Sequence, residues 1–86
     1  MLFLVALSFP LLLPPPAAVG DPPPLFAKLA FAEAREKARA NSRFLLVDFT
    51  ASWCAPCRKM DRETWIDPRV VAWVEREALA IQVDLD

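Results

Sequence analysis

Trp53-Cys54-Ala55-Pro56-Cys57 sets two thiols two residues apart, and that spacing admits three kinds of chemistry. The first is half of a zinc site. Zinc takes four ligands, mostly Cys and His, whereas this chain has two cysteines and no histidine, so carboxylates or a second chain would have to complete the set. The second is a structural disulfide, which over so short a loop adds little stability through chain entropy. The third is redox exchange, and it fits the physics best. A thiol at a helix N-terminus faces the positive end of the helix dipole and unpaired N–H groups, both of which stabilise its thiolate. On this reading Cys54 stands just ahead of the helix as the exposed nucleophile, and Cys57, one turn in, is shielded and acts second. Arg58 and Lys59 add positive charge nearby.

Asp48 is the next informative residue, six positions before Cys54 in an otherwise apolar run. A buried, unpaired carboxylate is costly. Asp48 therefore either turns toward a loop or solvent at a strand end, or is a buried carboxyl with a raised pKa that takes the proton from Cys57, directly or through water. Trp53 either covers the cysteine pair on one side or is an ordinary core aromatic. Trp65 and Trp73 are assigned to packing.

The elements that must hold these residues follow from local pattern. Residues 25–40 are strong helix formers, with Phe26, Leu29, Ala30, Ala34 and Ala38 near helical spacing and Glu33 and Lys37 placed for an i,i+4 pair. Lys37, Arg39 and Arg43 gather at the C-terminal end, where they complement the dipole as a solvated helix end. Residues 44–49 form a nearly continuous apolar run, as expected of a strand buried on both faces of a parallel sheet. After a loop at 50–52, residues 54–65 read as a helix with Pro56 in its first turn, where a missing N–H is harmless. Asp67-Pro68 marks a second helix start, with Asp as the cap; Val70, Val71, Trp73 and Val74 form its buried stripe. Leu79, Ile81, Val83 and Leu85 alternate with Ala80, Gln82 and Asp84, which predicts a second strand. The fold class is α/β, in the order helix-strand-helix-helix-strand. Two parallel strands do not make an independently stable sheet, so the sequence is expected to stop before its domain does.

The front of the chain is different. Residues 1–20 hold 14 apolar residues and no charged one, and seven of the nine prolines fall in the first 24 positions. A bilayer-spanning helix needs about 20 apolar residues, and the run over 1–13 is shorter and broken by Pro10. It reads instead as a signal peptide cleaved after Ala18-Val19-Gly20, although no Lys or Arg precedes it; the alternative is a low-complexity leader or an uncleaved stub. No cysteine follows the run, so a lipid anchor is not expected. Residues 21–28 read as a Pro-rich spacer and helix start, with Pro22-Pro23-Pro24 as a short polyproline stretch. The remainder has an ordinary globular composition. A net charge of −1 and a single glycine exclude nucleic-acid-binding and collagen-like classes. Nothing in the residues indicates a bound cofactor.

The run Leu46-Val47-Asp48-Phe49-Thr50-Ala51-Ser52-Trp53-Cys54-Ala55-Pro56-Cys57-Arg58-Lys59-Met60 resembles the active-site strand, loop and helix of thioredoxin-like proteins. Asp67-Pro68-Arg69-Val70 leading into Ile81-Gln82-Val83-Asp84 is similar to a branch that includes the C-terminal domain of the bacterial thiol:disulfide interchange protein. The resemblance covers residues 29–86, a partial thioredoxin-like domain that lacks the family's later half. It implies that Cys54 attacks, Cys57 resolves and Asp48 accepts the proton, with Trp53 and Pro56 supporting, and that a cycle leaves a Cys54–Cys57 disulfide. It also implies an exported protein of the periplasm or cell envelope, leaning towards a reductase, with disulfide-containing envelope proteins as substrates and a membrane electron donor. The alternative is a non-catalytic binding module, or an inactive fragment, whose cysteines rest as a disulfide.

Overall fold

The computed structural model describes residues 21–86, so the expected signal peptide and its cleavage site lie outside the described residues. Five elements follow in chain order: α1 (Phe31–Ala40), β1 (Phe44–Thr50), α2 (Ala55–Glu63), α3 (Pro68–Glu77) and β2 (Ala78–Asp84). The order is the one expected, and β1 and β2 pair in parallel, with Leu46 opposite Ala80 and Asp48 opposite Gln82. A parallel pair needs a long crossover, and α2 and α3 supply it.

Helix α1 starts at Phe31, six residues after the start expected from helix propensity. The reason is tertiary. Pro24 and Leu25 form a turn, and Phe26 makes a parallel bridge to Ala80, with the Ala27 N–H donating to the Ala80 carbonyl at 2.7 Å. Phe26 is buried, and its ring meets Trp65 edge-on at 5.4 Å. Burying such a side chain is worth roughly 2–3 kcal/mol, more than the modest propensity of a few residues for helix. Ala34 and Ala38 are buried as expected. The ion pair on this helix is Arg39–Glu36 at 2.7 Å rather than Glu33–Lys37. Arg43 does not belong to a solvated helix end. Its guanidinium donates to the carbonyls of Glu75 and Ala78, closing the C-terminal end of α3.

Phe26, Val74, Ala78 and Ala80 form the core cluster, with Leu25, Leu46, Trp65 and Val70 packed against it. Because strand side chains alternate faces, this cluster covers one face of β2. Ile81, on the opposite face, is also fully buried, and α1 packs against both strands. The simple alternation expected for β2 is therefore replaced by burial of Ala78, Ala80 and Ile81, while Leu85 is exposed. Strand β1 also departs from expectation. Among the described residues it pairs with β2 alone, and Phe44 and Phe49 stay exposed. Trp65 packs as expected, but Trp73 is 46% exposed. Among the described residues, no helix is long and apolar enough to cross a membrane.

Candidate active site

Strand β1 ends at buried Thr50, buried Ala51 follows, and the chain then turns outward through Ser52 and Trp53. The Cys54 N–H donates to the Ala51 carbonyl at 3.1 Å, closing that turn. Cys54 is the N-cap of α2, in an extended conformation, and its Sγ accepts from the Cys57 N–H at 3.3 Å. Pro56 lies in the first turn, as the sequence indicates, where its fixed φ suits a helix start. Cys54 and Cys57 form a disulfide across a Cα separation of 5.3 Å.

Both cysteines are half-buried, so neither the open exposure expected of Cys54 nor the full shielding expected of Cys57 is seen. What distinguishes them is bonding. Cys54 occupies the cap, where an anion meets the free N–H groups of the first turn. Cys57 lies inside the helix, with its Sγ 3.7 Å from the Phe49 carbonyl oxygen. In the disulfide that sulfur carries no hydrogen; as a thiol it can donate there. Trp53 is 74% exposed, which excludes the core-aromatic reading.

Asp48 is half-buried within β1, neither at a solvated strand end nor fully enclosed. Gln82, its partner in register, donates through Nε2 to Asp48 Oδ2 at 3.0 Å and to Asp61 Oδ1 at 2.8 Å. One amide nitrogen thus links two carboxylates, one from the sheet and one from α2. Sequence reasoning passed over Asp61 and Gln82. Their signals were Asp61 four residues after Cys57, on the same helix face, and Gln82 at a polar position facing β1.

Ser52 and Asp86 were also missed. The Ser52 N–H donates to Asp86 Oδ2 at 2.7 Å. Hydrogen bonding from Ser52, through side chain and then backbone, holds the Asp86 carboxyl below its ordinary value, with smaller help from Asp84 and the Arg58 charge and against a small desolvation cost.

The arrangement is a disulfide at a helix N-terminus, reached from a parallel strand by a short loop, with the Gln82-linked carboxylates of Asp48 and Asp61 on that strand and helix. A thioredoxin-like family profile matches residues 27–85. The chain belongs to the thioredoxin-like family. Its Cys54–Cys57 pair is of the thiol–disulfide oxidoreductase kind. The chain is 33% identical over 55 residues to the thiol:disulfide interchange protein DsbD of Campylobacter jejuni (strain RM1221), covering 64% of this chain and 10% of that protein. It is 38% identical over 53 residues to the DsbD of Ralstonia nicotianae, covering 62% of this chain and 9% of that one. Thioredoxin H7 of Arabidopsis thaliana is 38% identical over 50 residues, 56% of this chain and 34% of the plant protein. The chain therefore spans about a tenth of the interchange proteins and a third of the plant thioredoxin. No solved structure matches it significantly.

Proposed function

We propose that this chain transfers electron pairs to protein disulfides as an exported reductase. The observation that carries the reading is Cys54 as N-cap of α2, disulfide-bonded to a cysteine in the same first turn. A donor first supplies two electrons and two protons, which open the disulfide to a dithiol. The Cys54 thiolate, favoured by the helix terminus, attacks a substrate disulfide; one substrate sulfur leaves as a thiolate and a mixed disulfide forms. Cys57 then loses its proton and attacks Cys54 Sγ. The mixed disulfide breaks, the second substrate thiolate leaves, and the Cys54–Cys57 bond returns. Two electrons have passed to the substrate.

Asp48 is our candidate acceptor for the Cys57 proton. The support is its place on β1, one residue before Phe49, whose carbonyl lies beside Cys57 Sγ, and its tie to Gln82. Trp53 and Pro56 support the site, Trp53 as an exposed apolar surface beside the thiols and Pro56 by fixing the first turn. Export is supported by the leader-like residues 1–20. Disulfide-containing envelope proteins are the substrates this reading implies, and a membrane electron donor is the source of reducing equivalents.

The test is catalytic reduction of a protein disulfide with dithiothreitol as donor. Turnover above the uncatalysed rate is expected, and Cys54→Ser abolishes it. Folded protein without turnover would instead leave a binding module whose cysteines rest oxidised. Asp48→Asn is expected to slow resolution of the mixed disulfide by about tenfold or more, within the span of general acid–base effects, while Cys54 alkylation is unchanged. A resolution rate equal to the native one at every pH would remove Asp48 from the mechanism.

A further inference from the structure

The loop that delivers Cys54 to its cap is three residues long, and its two ends are held in different ways. At the strand end, the Leu85 N–H donates to the Thr50 carbonyl at 2.8 Å, and Ala51 is buried. At the helix end, the Cys54 N–H bonds the Ala51 carbonyl. Between them Ser52 and Trp53 project into solvent. At this corner the Asp86 carboxylate accepts the Ser52 N–H at 2.7 Å. The acceptor is itself oriented, because the Asp86 N–H donates to Asp84 Oδ1 at 2.9 Å. A short bond from an N–H to a carboxylate is of the stronger, charge-assisted type.

We propose that Asp86 is a positioning residue for Cys54: its carboxylate clamps the Ser52 N–H and so fixes the angle at which the loop enters the α2 cap. An N-cap works only from the extended conformation that aims its side chain at the first-turn N–H groups, and Cys54 has φ −94° and ψ 92°. With the corner released, Cys54 samples angles at which its sulfur no longer meets those groups, and the thiolate loses its partners. Two effects of Asp86 oppose each other. Its clamp favours the Cys54 thiolate; its negative charge, partly offset by the Arg58 cation, disfavours a second anion nearby. Asparagine keeps the acceptor oxygen and removes the charge, so it separates the two.

The inference rests on Cys54 being the attacking thiol, but its readout needs no substrate. The reduced full chain is alkylated with iodoacetamide near neutral pH, and modification at Cys54 is followed by peptide mass spectrometry. Asp86→Ala is expected to slow alkylation by about threefold to tenfold, the equilibrium equivalent of one net hydrogen bond. Asp86→Asn is expected to stay at the native rate or exceed it. An alanine variant at or above the native rate, or an asparagine variant as slow as alanine, overturns the clamp. Amide hydrogen exchange on the native chain provides a check free of any variant: the Ser52 N–H is expected to be protected although its residue is exposed, and exchange at the unprotected rate refutes the proposal. Absence of disulfide turnover alongside these results would count against the reductase reading and leave the clamp standing.

Discussion

Two helices of this chain begin with a proline in the first turn and a side chain at the cap, α2 on Cys54 and α3 on Asp67. At α3 the cap is a carboxylate. Asp67 accepts from the Arg69 N–H at 2.8 Å and from the Arg69 guanidinium at 3.1 and 3.3 Å, and these bonds hold its carboxyl below the ordinary value of 3.8. At α2 the cap is a sulfur 3.3 Å from the Cys57 N–H. Sulfur is a weak acceptor, so the terminus of α2 is under-capped while the disulfide is intact. The two termini use the helix dipole differently. In α3 it is met by a carboxylate cap already in place. In α2 the same field is held open for a charge that appears when the disulfide is reduced.

The largest expected effect comes from making α2 resemble α3. Cys54→Asp places a strong cap where the sulfur stood. Disulfide exchange is expected to fall by at least about a hundredfold, since no nucleophile remains at the cap. The variant should nevertheless melt roughly a few degrees above the reduced native chain. A variant less stable than the reduced native chain would show that the α2 terminus is not under-capped.

The converse change acts on α3. Asp67→Ala removes its cap and is expected to lower the melting temperature by roughly a few degrees, with Cys54 alkylation unchanged. The pH dependence has a definite sign. A carboxyl whose folded pKa lies below its unfolded value stabilises fully above the unfolded value, and that contribution is lost as pH falls through the folded one. The difference in melting temperature between native and Asp67→Ala chains should therefore be full at pH 6 and shrink below about pH 4. A difference that persists unchanged in acid would assign the stabilisation to something other than the ionised cap.

The two termini were not equally legible in the sequence. Asp67-Pro68 announces a helix start because cap and proline are adjacent and the physics is local, and Cys54 with Pro56 reads the same way. Strands 44–50 and 78–84 were found almost to the residue, because apolar runs bounded by loop residues survive any tertiary context. Three of the misses depend on register. Phe26 leaves its helix-forming neighbourhood for a bridge to Ala80. Gln82 meets Asp48 only once β1 and β2 are aligned, and Asp86 reaches Ser52 only at the end of that alignment. Such partners are far apart in the chain, and no propensity carries them. The apolar pattern of β1 also overstated its burial, because it records what each face can cover and not what is paired beside it.

Helix α1 extends the comparison to a C-terminus. Its cap residue is Asn41, and Ser42 follows with φ 51°. The Arg43 N–H donates to the Ala38 carbonyl at 2.9 Å and the Ser42 N–H to the Arg39 carbonyl at 3.2 Å, the bond pair of a Schellman ending. That ending usually has glycine in the left-handed position, since a Cβ there costs about 1–2 kcal/mol. Ser42→Gly removes this strain but gives the unfolded chain more freedom, which opposes it by about 0.4–1 kcal/mol. The net expectation is a gain of about 0.5 kcal/mol, or roughly 2–4 °C in melting temperature for a chain of this size. Exchange activity should be untouched, because the change lies at the opposite end of β1 from Cys54. A loss of stability would mean that the serine side chain offsets its own backbone strain, and that α1, like α3, is finished by a side chain and not by backbone geometry alone.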